Sequence, residues 1–294
     1  MIRGTPFALA AAAAGMALLA CSIEIPSLQF GPDIQIAEPG ELELGSTQTE
    51  SIRIAATGDR ASLNLEFAGG KIRILGGGQD LVSGTVTYNV AELKPVIEGS
   101  GSSYRLRNGE IERITSGRAD IVNTWELQLG PDPIALTIDL GAADAEMDLG
   151  GVNLFQLDIH SGASDLELGF SEPNRGPMGS LTVMAGAARL DLSQLSNANT
   201  RRMEFTLGGG DVTLDFTGEF SQDLDVAIEG AAGNFTIYVP DGTPARARTR
   251  GAFLSINADS GWAARDDGYA HEGQGPQINL SLGVGAGNIN LRTN

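Results

Sequence analysis

The residues of this chain that could do chemistry are mostly carboxylates. Glu146, Asp148, Asp165, Glu167, Asp191, Asp211 and Asp215 recur at the polar slots of similar segments, each flanked by apolar residues. If the segments lie side by side, these acids form a ladder at about 4.8 Å spacing. Like charges that close repel by roughly 0.9 kcal/mol per pair even at the dielectric of water. A hard cation is one way to hold them, and Ca²⁺ suits carboxylate oxygens. Screening by salt and splaying of the side chains is the other. The segments lack the Gly-Gly-x-Gly-x-Asp spacing of calcium-binding β-rolls, which Gly208–Asp211 approaches without matching.

A second collection lies in Asp259–Gln277 (DSGWAARDDGYAHEGQGPQ), where Trp262, Arg265, Asp266, Asp267, Tyr269 and His271 fall close together. Two aromatics for stacking and a mixed-charge set could bind a ligand. The same stretch could equally be an insertion that covers one side of the fold. His160 and His271 are the two histidines, and neither falls in a Ser–His–Asp or Cys–His spacing. Glycan cleavage would need paired carboxylates in a groove of long loops, and most connections here are short. The expectation is therefore a non-enzymatic protein without a cofactor, Ca²⁺ on the acidic ladder being the one ion to test. Arg246, Arg248 and Arg250 alternate along one segment and share one face, placed to pair with neighbouring acids or to dock an anion.

What must position these groups is a repeat. Seven segments alternate apolar residues on both sides of a Gly-rich turn: Leu136–Leu149, Leu157–Phe170, Leu181–Leu192, Met203–Phe216, Leu224–Val239, Ala247–Ile256 and Ile278–Leu291. The turns sit at Gly141, Gly162, Gly186, Gly208, Gly230, Gly251 and Gly283, about 21 to 24 residues apart except the last interval of about 32. A lone unit of this kind cannot bury its apolar edge, whereas stacked coils bury each other's. The pattern predicts an all-β chain with almost no helix: a β-solenoid, a parallel β-helix-like stack of two-strand repeats of about 22 residues. An antiparallel sandwich built from hairpins would show the same alternation.

The organisation divides into a leader at 1–21, a Pro-containing tether at 22–45 that merges into a strand near Glu41–Leu44, an irregular β-rich region at 46–130, and the regular array at 131–294. Within the irregular part, Leu63–Phe67 and Ile72–Leu75 flank Gly69-Gly70 like a divergent first coil. The array ends in Leu291–Asn294, and an uncapped solenoid end there would invite strand addition, with Asn288, Asn290 and Asn294 polarising the edge.

The leader has Arg3, an apolar run too short to span a membrane, and Leu18-Leu19-Ala20-Cys21, the pattern of a bacterial lipoprotein cleavage site. Cys21 is the single cysteine, so an internal disulfide is excluded and lipid attachment to its sulfur is expected. Acyl chains would then anchor the protein to a membrane on the extracytoplasmic side, at the cell surface or in the periplasm. The whole chain carries a formal net charge of −18. That charge argues against nucleic acid and anionic lipid headgroups and would attract cations or cationic peptides.

Leu81–Asn89 followed by Lys94-Pro95, Trp125–Leu129 with Pro133, and the G-[AGV]-[AG] turn of each repeat resemble the toast-rack family of bacterial envelope proteins. The resemblance covers most of residues 40–294. It implies an extracytoplasmic, mainly β solenoid related to adhesin-like and cell-wall stress-response domains, with no established enzymatic activity and no catalytic residues. The function expected is a structural or binding module whose partner is an envelope protein or a cell-wall glycan. The alternatives are a stress component that binds cationic agents, or a glycan-active enzyme.

Overall fold

The computed structural model describes residues 44–109 and 120–294. Its strands are β1 (Gln48–Ile54), β2 (Ala61–Leu75), β3 (Val82–Tyr88), β4 (Pro95–Ser100), β5 (Ser103–Asn108), β6 (Asn123–Leu129), β7 (Ile134–Asp148) and β8 (Leu154–Gly169). They continue with β9 (Leu181–Ser193), β10 (Arg202–Asp215), β11 (Leu224–Val239), β12 (Ala245–Arg250), β13 (Phe253–Ala258), β14 (Trp262–Arg265), β15 (Gly268–His271) and β16 (Ile278–Thr293). Helical structure among the described residues is confined to two short 3₁₀ turns, Ala91–Leu93 and Leu195–Ala198.

Six of the seven expected Gly-rich turns lie inside strands rather than between them, and only Gly251 falls between two. β7 runs for 15 residues through Gly141, and β8 for 16 through Gly162. Yet β8 begins beside the start of β7, with Leu154 opposite Ile134 in a parallel pair. The short link from Asp148 to Leu154 spans at most about 20 Å, whereas a straight strand of this length would reach about 50 Å. Each strand must therefore fold back on itself at its glycines, giving two arms joined at a corner. The alternation slips by one residue there: Leu136, Ile138 and Leu140 are buried before the corner of β7, and Ala143, Ala145 and Met147 after it.

The corner needs glycine where backbones of adjacent coils touch. Gly210 and Gly287 hold φ of +140° and +136°, and a Cβ on either would lie under 2 Å from a carbonyl oxygen, that of Ala188 or Gly233. No side chain fits there.

Parallel pairing links β2, β7, β8, β9, β10, β11 and β16 in that order along both arms. β2 crosses Gly69-Gly70 and pairs with β7 from Ala61↔Ile134 to Leu75↔Asp148, so it is a full coil and the irregular region shares the sheet of the regular array. The inward rows of both arms meet in one core; Phe67 and Trp125, for example, touch edge-to-face at 5.3 Å between ring centres.

The end of the stack differs from the sequence expectation. β16 is not the edge: it lies between β11 on one side and β12 and β13 on the other. β12 pairs with its first arm and β13 with its second, so the sixth repeat is a coil broken at Gly251. Asn288 and Asn290 consequently sit inside the sheet. Asn288 donates to Asn234, Asn234 donates to Asp211, Asn290 donates to Thr236, and Asn257 donates to Asn290. The amides stitch rungs together instead of polarising an open end.

Candidate functional site

The carboxylates do fall on shared rungs of the second arm, and the register sorts them. One rung row reads Lys71, Asp144, Asp165, Arg189, Asp211, Asn234 and Asn288; the next reads Arg73, Glu146, Glu167, Asp191, Thr213, Thr236 and Asn290. One cation, Arg189, interrupts the first row; Lys71 and Arg73 flank the acids at the β2 end, and Glu146, Glu167 and Asp191 stay consecutive in the second. Lys71 lies 3.6 Å from Asp144, and Arg73 3.1 Å from Glu146.

Four of the seven expected ligands are engaged with neighbours. Glu146 pairs with Arg73, and Asp211 accepts from Asn234 at 2.8 Å. Asp148 accepts backbone N–H groups of Gly150 and Ser171, both at 3.0 Å. Burial opposes its ionisation, but the bonds from Ser171 and the Gly150 amide outweigh that and hold its pKa below the ordinary carboxylate value. Asp215 accepts from the Thr217 amide at 2.9 Å and its hydroxyl at 3.0 Å. Asp148 and Asp215 thus fasten the loops between coils. Asp165, Glu167 and Asp191 make no hydrogen bond or ion pair among the described residues. No three His, Cys, Asp or Glu side chains among the described residues converge to hold a metal ion. The ladder of Glu146, Asp148, Asp165, Glu167, Asp191, Asp211 and Asp215 is a row on a surface, not a coordination shell.

Asp259–Gln277 is largely ordered as a hairpin. β15 pairs antiparallel with the free side of β12, and β14 pairs with β15. Trp262 is only 6% exposed and packs against His271 at 5.5 Å, so its ring plugs the core rather than offering a face for stacking. His271 hydrogen-bonds the Thr243 carbonyl through Nδ1 at 2.6 Å. Arg265 pairs with Glu272 at 2.8 Å and Asp267 with Arg248 at 3.0 Å, while Tyr269 is half-buried against the core and Asp266 is exposed. Arg246, Arg248 and Arg250 share the outer face of β12, and Arg250 pairs with Glu229.

His160 stands on the first arm opposite Asp139, 2.8 Å away. The hydrogen bond to that carboxylate raises its pKa above the ordinary imidazole value, against the opposing effect of partial burial. A shallow crevice of about 10 Å³, room for little more than one water, opens between the 3₁₀ turn at Leu195–Ala198 and the segment at 220–224, lined by Ser196, Asn199, Thr200, Met203 and Phe220 among others, with no titratable side chain. Cys21 lies outside the described residues.

Sequence reasoning missed the buried amides that tie coil to coil. Asn174 accepts from the Leu154 amide and donates to carbonyls of Leu154 and Gly176, and Asn197 donates to the Phe170 carbonyl and accepts from the Glu219 amide. Their signal was present, since the two stand in successive linkers about one period apart.

Residues 43–178 match the family model described as the N-terminal domain of toast_rack, DUF2154. No curated protein matches the chain. Among solved structures, a "putative cell adhesion protein" from Clostridium sporogenes ATCC 15579 is 20% identical, with 85% of this chain and 100% of that one covered and a TM-score of 0.47. A "putative adhesin" from Bacteroides fragilis NCTC 9343 is 11% identical over 84% of this chain and 97% of that one, with a TM-score of 0.34. A "putative adhesin" from Parabacteroides merdae ATCC 43184 gives 11%, 84%, 96% and 0.34 on the same measures. Those likenesses are loose, and the assignment rests on the matched N-terminal residues with their stacked parallel coils. Residues 43–178 therefore carry a toast-rack N-terminal domain.

Proposed function

We propose that this protein is a lipid-anchored, extracytoplasmic binding module of the bacterial envelope, adhesin-like in character and without catalysis of its own. The observation that supports this reading is where its reactive side chains go. Both histidines and four of the seven candidate carboxylates bond to neighbours within the sheet or its loops, which leaves the broad outer faces of the two arms available to a partner. Anchoring rests on the leader that ends at Cys21. No helix among the described residues is long and apolar enough to cross a membrane.

The test uses the full chain in its own cells. Native protein should sediment with membranes and partition into detergent, and Cys21→Ser should release it. In-cell crosslinking should then attach an envelope protein or a cell-wall glycan to the native chain. A native protein that stays soluble would overturn the anchor, and one that captures nothing would overturn the binding role.

A second reading, capture of cationic agents, is favoured by Asp165, Glu167 and Asp191, which carry no internal partner on adjacent rungs of one arm. It predicts binding of a cationic peptide that weakens steeply with salt and is lost when all three are changed to their amides.

A further inference from the structure

The two ends of the sheet are built unlike its middle, and they are stepped. Beyond β16, the first arm continues through β12, β15 and β14, while the second arm has β13 alone. The first arm therefore overhangs the second by two strands. Before β2, the first arm has β5 and β4, and the second has β6, β3 and β1, so there the second arm overhangs by one. The steps have opposite sign and match to within one strand, about 4.8 Å.

Exposed apolar side chains concentrate at these two ends. Among the described residues, the large hydrophobics that face solvent are Phe253 at 80%, Ile97 at 42% and Leu44 at 40%. Phe253 opens β13 at one end, Ile97 lies on β4 at the other, and Leu44 leads into β1. None lies on an outer face of a central coil.

The edges also differ in protection. β1 carries Glu50 and Arg53, β4 carries Pro95 and Glu98, and β14 carries Arg265, all devices that discourage indiscriminate pairing. β13 (FLSINA) has no charge and no proline, and its ladder side away from β16 is unpaired. Its inward Leu254, Ile256 and Ala258 are only partly buried, whereas the matching Ile289 and Leu291 of β16 are fully buried. The core at this end lacks its last layer.

From these observations we infer that the chain associates with further copies of itself head to tail, the β13–β14 end of one against the β1–β4 end of the next. A two-fold dimer through β13 is disfavoured, because the overhanging β15–β14 of both copies would compete for the same space. Because the two ends lie at opposite ends of the strand order, a head-to-tail contact that continues the stack does not close on a pair, so the product is an open series rather than a dimer. The inference rests on strand order and end exposure, independently of the lipid anchor and of any foreign partner.

The experiment is crosslinking of the full-length native chain in its own membranes with a short bifunctional reagent, followed by immunoblotting. The expected result is a ladder of dimer, trimer and higher species. Phe253→Lys and Ser255→Lys at one end, and Ile97→Lys at the other, should each reduce the ladder at least tenfold. All three side chains are solvent-exposed or on an exposed edge, so the fold should persist, and an unchanged Tm checks that it does. A ladder that stops at dimer, one insensitive to Ile97→Lys, a monomer under all conditions, or a product joined instead to a different protein would each overturn the inference.

Discussion

The coil formed by β16 and the broken coil formed by β12 and β13 are built from the same alternation, and they end up differently. In β16, Ile278, Leu280, Leu282, Ile289 and Leu291 are at most 2% exposed. In β13, Leu254 and Ile256 are half-covered and Phe253 stands in solvent. The difference is not composition but neighbours: β16 has a coil on each side, and β13 has one on a single side. Burial in a stacked sheet is a property of position in the stack, and the same residues contribute fully only when covered twice.

Four measurements would break or sharpen that contrast. The largest effect should come from Gly287→Ala at the corner of β16, where a Cβ would collide with the Gly233 carbonyl and φ is +136°. We expect a loss of about 3 kcal/mol or more by denaturant unfolding. Gly162→Ala, at a corner outside the left-handed region where a Cβ would sit 3.1 Å from the Gly141 carbonyl and needs a shift of only a few tenths of an ångström, should cost less, about 1 kcal/mol. Equal losses at both would mean that the corners are not where the coils touch most closely.

Next, Leu291→Ala in β16 should cost about 3 kcal/mol, and Leu254→Ala in β13 about 1 kcal/mol. If the two match, β13 is covered in solution by something the isolated chain does not show. Trp262→Ala belongs with the larger class, because its ring is buried beside His271.

Third, Asp148→Asn should destabilise the link between the β7 and β8 coils by about 1 to 2 kcal/mol, since one charged acceptor serves two backbone amides. Its pKa is depressed in the fold, so this contribution is present at neutral pH and fades as acid protonates the carboxylate.

The smallest effect concerns His160. Its raised pKa means that the pair with Asp139 stabilises the fold fully at pH values below the ordinary imidazole value of 6.5 and loses that contribution as pH rises through the elevated one. With side chains 34% and 24% exposed, the change should stay below about 1 kcal/mol. His160→Gln should flatten it, which a stability-against-pH profile would show.

Much of this architecture is legible in the residues, for a physical reason. Strand alternation and corner glycines are local demands, so Leu136, Ile138 and Leu140 announce their face, and Gly69-Gly70 announces β2 as a coil despite its irregular surroundings. Spatial order is not a local demand. The interval of about 32 residues before Gly283 was the trace of β16 being placed out of turn, but nothing in its alternation distinguishes an inner coil from a final one. The candidate site was legible in part. That the acids share rungs follows from the period. That Arg189 interrupts one row and that Lys71 and Arg73 flank both requires the register, and that Trp262 is buried requires knowing that its segment folds over β12.

The placement of β16 also imposes an order in time. From β7 to β11, neighbouring coils join residues about 21 to 24 positions apart, but β11 and β16 join residues 54 apart. Closing the longer loop costs only about 0.8 kcal/mol more, so the final state hardly registers it. The route does. As the chain is made from its N-terminus, β12 and β13 arrive first and find β11 with the unpaired edge that β16 will need. Anything that docks there early must leave again, and the slowest step of maturation should be the capture of that last long strand.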